Sequence, residues 1–174
     1  MDTEAQKLFL EAIKNAHNGV YKMSEDMPDL VEASNNIAKV NVQDGRIMIE
    51  CLTRSSVEKT KAEVAEQQKA TFDGKGFNTV FSGDYPGWKP NPDSAILAVL
   101  TELYTSVFNT KPKVVACHAG LECGILGTNY PGMDMISFGP TIHGAHSPDE
   151  KANIPSAQKF WKFLLAILQH IPQK

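Results

Sequence analysis

The chain has 174 residues, with 17 Lys and Arg against 20 Asp and Glu, so its formal net charge is −3. A composition with 42% hydrophobic and 21% charged residues argues against wholesale disorder, and the absence of basic clusters argues against a nucleic-acid or anionic-membrane surface. The longest apolar stretch is too short for a membrane span, the N-terminus lacks signal-peptide features, and three scattered cysteines resemble no disulfide framework. These features favour a cytoplasmic location.

The chain opens with a helical pattern followed by an extended one. A capping box at residues 3–6 predicts a helix start, in which the Thr3 hydroxyl satisfies a free backbone N–H group. Gly19 ends the helix, and residues 20–23 form a short extended piece.

The strongest hairpin signal follows this piece. Residues 37–42 and 46–52 flank a turn at Gln43-Asp44-Gly45, where glycine supplies the positive φ that a tight turn needs. Apolar residues alternate with polar ones along both strands, so we expect one buried sheet face, formed by Val40, Val42, Ile47, Ile49 and Cys51.

A second helix and a closing strand complete this half of the chain. A capping box at residues 55–58 predicts a helix to about Ala70, and residues 77–81 predict a strand. The resulting order α-β-β-α-β is a ferredoxin-like arrangement without its first strand. Residues 82–92, rich in proline and glycine, then predict an interdomain linker or an ordered loop.

The second half has an α/β pattern. A helix capped by Asp93 or Ser94 precedes two short apolar strands, residues 113–117 and 133–138, and a final helix covers residues 155–171. Nearly continuous apolar strands suit a sheet that is covered on both faces. The sequence therefore predicts a mixed α/β (α+β) fold in two parts.

His118 follows one of these strands, at the sheet edge where α/β proteins bind ligands. The alternative is a polar cap on a strand end. A thiol hydrolase using Cys117 or Cys123 is a further alternative, but Cys117 and His118 are neighbours and would point to opposite faces of a strand.

Three other polar residues are candidates for binding. His143 and His146 lie in a loop rich in Gly and Pro with nearby Asp and Glu, which suits either metal binding or a plain solvated loop. Arg54 ends the second hairpin strand, where its guanidinium could capture a substrate carboxylate or form a surface ion pair.

Three long strings occur in a fixed order along the chain: Ser82-Gly83-Asp84-Tyr85-Pro86-Gly87-Trp88, His118-Ala119-Gly120-Leu121-Glu122-Cys123-Gly124, and Gly139-Pro140-Thr141 through Gly144-Ala145-His146-Ser147-Pro148-Asp149-Glu150. Together they resemble the C-terminal part of the zinc-dependent aminoacyl-histidine (Xaa-His, carnosine-type) dipeptidases. The resemblance extends over essentially the whole chain.

The resemblance implies a ferredoxin-like lid that interrupts an α/β metallopeptidase catalytic domain. Residues 1–83 would be a lid segment of the kind that mediates dimerisation, residues 84–91 a linker, and residues 92–174 the C-terminal segment of the catalytic domain. We therefore expect a homo-oligomer that forms through the lid, and hydrolysis of small Xaa-His dipeptides by a two-metal-activated water in the whole enzyme.

The resemblance also implies roles for three residues. Arg54 would grip the substrate carboxylate, Gly120 would contact the dipeptide through its backbone, and His146 would be one ligand of a two-zinc centre. His143 matches no ligand of the family.

The family's other metal ligands and its general base lie in a His-x-Asp motif, a Glu-Glu pair and a further Asp before the lid. This chain contains no His-x-Asp and no Glu-Glu. We therefore assign it no catalytic residue and expect it to be inactive alone, to hold zinc poorly, and to need a missing N-terminal part of the same enzyme. Such a fragment should leave strand edges and apolar faces uncovered.

Two other functions stay open on the sequence. The chain could be a non-enzymatic ferredoxin-like binding or dimerisation module. It could also be a thiol hydrolase, which would need a lowered pKa at Cys117 or Cys123.

Overall fold

The computed structural model describes residues 2–116 and 121–170. The chain divides into two compact units: the first comprises Met1–Pro90 and Ala116–Pro131, and the second Asn91–Val115 and Gly132–Lys174. No helix in the described ranges is both long and apolar enough to cross a membrane. The elements are α1 (Thr3–Asn15), β1 (Gly19–Met23), β2 (Val31–Gln43), β3 (Arg46–Ser55), α2 (Glu58–Asp73), α3 (Ala95–Phe108), α4 (Glu122–Asn129), β4 (Ile142–His143), β5 (Lys151–Ala152) and α5 (Ile154–Gln169).

The first unit contains a three-stranded antiparallel sheet in the order β1-β2-β3. The predicted hairpin is confirmed, and its strands are longer than expected. Asp44 and Gly45 form the turn with φ values of 52° and 74°, the left-handed pair that a two-residue hairpin requires. Gln43 therefore pairs with Arg46, and this register continues along the two strands with one irregularity between Ile37 and Lys39.

The core of this unit lies where helix residues pack against the part of the sheet that contains Ile37 and Ile49. Ala12, Ala16 and Phe72 are buried, and Ile37 and Ile49 pack against them. The small alanines of α1 let the helix approach closely, and Phe72 fills the remaining space.

The expectation of one buried face along the whole hairpin is wrong for its distal half and for Cys51, which is also exposed. Val40 and Val42 are 43% and 49% exposed, because neither helix extends far enough to cover them.

Both predicted capping boxes are also wrong. Asp2, not Thr3, caps α1, and its carboxylate accepts a hydrogen bond from the Ala5 N–H at 2.8 Å. Val57 occupies the cap position of α2 with no side-chain hydrogen bond. Asp2 is preferred because its extended backbone lies one residue before the first helical turn, whereas Thr3 is already helical.

The second unit packs α3 against α5 through aromatic side chains. The Phe163 ring contacts those of Tyr104 and Phe138, with centroids 5.2 and 5.4 Å apart. Ser94 caps α3 as predicted, and Asn153 caps α5. The predicted final helix is present as α5, which ends at Gln169, and residue 171 lies outside the described ranges.

The three isolated strands predicted at residues 77–81, 113–117 and 133–138 are not formed in the described parts of the chain. A strand needs a neighbour to complete its hydrogen-bond ladder, and no described segment pairs with these residues. Residues 2–90 of the first unit therefore form an α-β-β-β-α arrangement, not the predicted α-β-β-α-β. The sequence interpretation also missed α4 and the small β4–β5 hairpin. The mixed α/β class itself is confirmed.

Candidate functional site

Arg54 lies near the end of β3, directly opposite Ser34 of β2, and its side chain is exposed. Its guanidinium forms no hydrogen bond or ion pair with any residue in the ranges 2–116 and 121–170, so the surface ion pair considered above is not found there. An exposed guanidinium without a protein partner is suited to bidentate binding of a carboxylate.

Hydrogen bonds of the two residues that follow Arg54 fix the backbone at this end of β3. Ser55 and Ser56 are buried. The Ser55 hydroxyl accepts a hydrogen bond from the Val57 N–H at 3.1 Å, and the Ser56 N–H donates to the Glu32 carbonyl at 3.0 Å. The end of β3 is therefore tied to both β2 and the start of α2.

A buried carboxylate strengthens this connection. Glu32 of β2 is 7% exposed and accepts a hydrogen bond from the Thr60 hydroxyl at 2.6 Å. Its second partner is the Lys22 ammonium of β1, at 3.2 Å, and this hydrogen bond raises the pKa of Lys22. The ion pair with Lys22 offsets the free-energy cost of burying the Glu32 carboxylate. Glu32 therefore connects β1, β2 and α2.

A buried amide fixes the middle of the same sheet. Asn35 of β2 donates to the His17 carbonyl at 2.8 Å and accepts from the Thr53 hydroxyl at 2.8 Å. Gln68 of α2 donates to the same His17 carbonyl at 2.7 Å. Thr53 precedes Arg54, so the strand is anchored on both sides of the arginine.

A charged side chain that the sequence interpretation missed holds the loop of residues 84–88. The Lys61 ammonium contacts the Glu58 carboxylate at 2.8 Å, the Asp84 carboxylate at 2.8 Å and the Tyr85 carbonyl at 2.9 Å. Burial would lower the pKa of Lys61, but its hydrogen bonds to Asp84 and Glu58 outweigh burial and raise it. The hydrogen bond to Lys61 correspondingly lowers the pKa of Asp84. The spacing of Glu58 and Lys61 on one helix face was the available sequence signal.

His146 lies in the second unit, in the loop that joins β4 to β5, and its side chain is exposed. Its φ of 63° is in the left-handed region that side-chain-bearing residues rarely adopt. The His146 N–H donates to the Glu150 carboxylate at 2.8 Å, and the Ser147 hydroxyl donates to the Gly144 carbonyl at 2.7 Å. These bonds stabilise a tight loop that displays the imidazole. His143 lies on β4 opposite Lys151.

The described residues do not fit a zinc centre on their own. No group of three His, Cys, Asp or Glu side chains within residues 2–116 and 121–170 is arranged to hold a metal ion. His146 supplies one nitrogen, whereas protein zinc sites use three or four convergent ligands. No metal-dependent step can therefore be derived from this chain.

Several predicted positions fall outside the described residues: Gly120, His118 and Cys117. Cys123 is described, on α4. Burial and the neighbouring Glu122 raise the pKa of its thiol, which is the opposite of what a nucleophilic cysteine requires. The thiol-hydrolase alternative is therefore unsupported at Cys123.

Comparison with known proteins connects this arrangement to peptidases. The cytosol non-specific dipeptidase of Escherichia coli is 37% identical over 171 residues, which are 98% of this chain and 35% of the relative. The crystal structure of aminoacylhistidine dipeptidase from Vibrio alginolyticus is 39% identical, covers 99% of this chain and matches it with a TM-score of 0.84. The resemblance to these dipeptidases is confirmed. No protein-family model matches the chain.

The chain spans only 35% of the length of either relative, and its mixed α/β architecture matches the C-terminal part of the dipeptidase structure. An aminopeptidase structure, PepT from Bacillus cereus, has a TM-score of 0.69 at 16% identity and shares the fold alone.

Proposed function

We propose that this chain is the C-terminal portion of a metallodipeptidase that hydrolyses small dipeptides. The observation that carries the proposal is a match of about 37% identity along 98% of the chain to a dipeptidase of Escherichia coli. The proposed segments are a lid at residues 1–83, a linker at residues 84–91 and a catalytic segment at residues 92–174.

Arg54 is the residue that binds the free carboxylate of the substrate in this proposal. Its exposed guanidinium and the lack of a partner among the described residues support the assignment. The anchored strand end reduces the entropy lost when a ligand is bound, because the backbone at Arg54 is already ordered.

His146 and Gly120 complete the proposed contribution of this chain. The exposed imidazole on a tight loop would act as one ligand of a two-zinc site, and the Gly120 backbone would contact the dipeptide. Bound zinc would supply an activated water, and the general base would come from the missing N-terminal part of the enzyme. The proposed location is the cytoplasm, as the name of the Escherichia coli relative states for that protein.

The substrate preference is proposed as Xaa-His. One relative is named for aminoacylhistidine substrates and the other is named non-specific, so the two names lead to different expectations. Hydrolysis rates on β-Ala-His, Ala-His and Ala-Ala would separate them, and equal kcat/KM on all three would remove the preference for histidine.

The experiment that tests the function is a chimera. The region of the Escherichia coli dipeptidase that matches this chain is replaced by the 174 residues, and dipeptide hydrolysis is measured with added zinc. We expect turnover that a chelator abolishes. A folded chimera without activity, beside an active parent enzyme, would refute the proposal.

The alternative is a non-enzymatic binding or dimerisation module. The observation that favours it is the uncovered distal half of the hairpin, where Val40 and Val42 are exposed. Under the proposed function, the same surface is where the lid would form a homo-oligomer. An inactive chimera with retained self-association would favour the module.

A further inference from the structure

The 84–88 loop is packed tightly between two backbone segments. Gly87 lies so close to the end of β3 that a Cβ atom there would come within 2.6 Å of the Ser55 carbonyl oxygen and 2.8 Å of that of Ser56. A Cβ atom at Gly124 of α4 would overlap the Pro86 carbonyl. Only glycine permits these two approaches without moving the backbone.

Charged side chains fix the same loop along its length. Lys61 binds Asp84 and the Tyr85 carbonyl, and the Gly87 N–H donates to the Glu58 carboxylate at 2.5 Å. Just beyond the loop, the Lys89 ammonium pairs with Asp26 at 2.6 Å. The loop is thus held by α2 at its start and middle.

This packing concerns the proposed substrate contacts. Arg54 immediately precedes Ser55, which the loop touches. Gly120, the second proposed contact, immediately precedes Leu121, the cap residue of α4, and Gly124 of that helix touches the loop from the other side. The loop therefore lies against the segment of Arg54 and against the helix that follows Gly120.

We propose that Lys61 is a positioning residue that holds the 84–88 loop as a spacer and thereby sets where Arg54 presents its guanidinium to the substrate carboxylate. This inference rests on the proposed function. Lys61 touches no substrate; it acts through the loop and the end of β3. A shift of the guanidinium by an ångström is enough to weaken a bidentate contact.

The first test measures loop order in the 174-residue chain itself. Lys61→Met removes all three ammonium contacts, including the one to Glu58. We therefore expect faster hydrogen exchange in the 84–88 loop at the Gly87 amide, whose N–H donates to the Glu58 carboxylate. Lys61→Arg can donate to the same acceptors and should restore protection. Lys59→Met is the matched control, because the Lys59 side chain is 87% exposed and its ion pair with Glu63 is 3.9 Å long.

The second test measures kinetics in the chimera. For a dipeptide with a free carboxylate, Lys61→Met should raise KM by about 10-fold and leave kcat within about 2-fold. In an Arg54→Ala background, the same substitution should change KM by less than about 2-fold, because residues that act through one contact are not additive. Gly124→Ala, which displaces the loop from the other side, should also raise KM.

The outcomes separate the two proposals. An inactive wild-type chimera refutes the proposed function and this inference with it. An active chimera in which Lys61→Met leaves KM unchanged, or adds fully to Arg54→Ala, refutes the positioning role alone. Faster exchange at residues 84–88 that Lys61→Arg does not reverse would also contradict it.

Discussion

At the scale of single residues, polar side chains near the candidate site fall into two groups. Glu32 and Asn35 are buried and fully engaged in holding strands together. The Arg54 side chain is exposed on the same sheet and binds none of the described side chains. Strands that are fixed this firmly around one unpaired cation favour ligand binding at that cation.

Substitution of Arg54 provides the first prediction. In the chimera, Arg54→Ala should lower kcat/KM for a dipeptide by about 100-fold, because two charge-assisted hydrogen bonds to the carboxylate are lost. Arg54→Lys should recover only part of this loss, since an ammonium cannot bind in bidentate fashion. A dipeptide amide, which lacks the carboxylate, is the control substrate and should show little difference among the three proteins. A similar loss on the amide would contradict the assignment.

Cys123 provides a second prediction. Burial and Glu122 raise the pKa of its thiol, so the reactive thiolate is scarce near neutral pH. We expect slow labelling of Cys123 by iodoacetamide at pH 7, measured by mass spectrometry of its peptide, with faster labelling in the unfolded chain as the reference. Labelling in the native chain that outpaces the unfolded reference would revive the thiol-hydrolase alternative.

At the scale of elements, the sequence predicted what local signals determine. The Asp44-Gly45 turn and the Ser94 cap were found because each depends on a few adjacent residues. The strands predicted at residues 113–117 and 133–138 are not formed among the described residues, because a strand depends on a partner that the pattern of its own residues cannot contain.

The candidate site also combines residues that the sequence predicted with contacts that only the structure shows. Arg54 and His146 were picked out by motif resemblance, and the structure describes both. The contacts of Lys61 with Asp84 and the Tyr85 carbonyl join residues far apart in the sequence, so no local pattern contained them.

The Asp134 carboxylate, which binds the start of α3, provides a third prediction. Its carboxylate accepts a hydrogen bond from the Ile96 N–H at 3.0 Å, and this bond lowers its pKa below the ordinary value of 3.8. A carboxylate whose pKa is lower in the folded state stabilises the fold above pH 3.8, and this contribution disappears as pH falls through the folded-state pKa. Asp134→Asn should therefore lose stability at neutral pH and show a weaker loss on acidification than wild type.

Urea midpoints measured between pH 7 and strongly acidic pH would check this. Asp93→Asn is a suitable control, because the Asp93 carboxylate forms no hydrogen bond within the described ranges although it lies beside the same helix. Equal acid dependence of wild type and Asp134→Asn would show that this cap contributes nothing.

At the scale of the whole molecule, two apolar surfaces lack cover within the described residues. One is the distal hairpin face with Val40 and Val42. The other is a stripe along α5 at helical spacing, opposite the packed Phe163: Ile154, Trp161, Leu165 and Leu168, between 42% and 73% exposed. This agrees with the expectation of uncovered apolar faces, and surfaces of this kind favour association.

Self-association of the isolated chain is the fourth prediction, measured by sedimentation velocity. Val40→Lys with Val42→Lys should reduce association if the lid segment forms the oligomer, since charges there cannot be buried without partners. Trp161→Lys with Leu165→Lys is the matched control on α5 and should leave lid-mediated oligomers intact. A monodisperse, compact wild-type monomer would contradict this prediction.

The central claim is that this chain holds only part of a dipeptidase active site: a carboxylate-binding arginine and one candidate metal ligand. The most direct measurement is dipeptide hydrolysis by the 174-residue chain alone, with zinc and β-Ala-His, beside the chimera under the same conditions. We predict no turnover above background by the isolated chain and chelator-sensitive turnover by the chimera. Hydrolysis at enzyme-like rates by the isolated chain, abolished by a chelator, would contradict the claim.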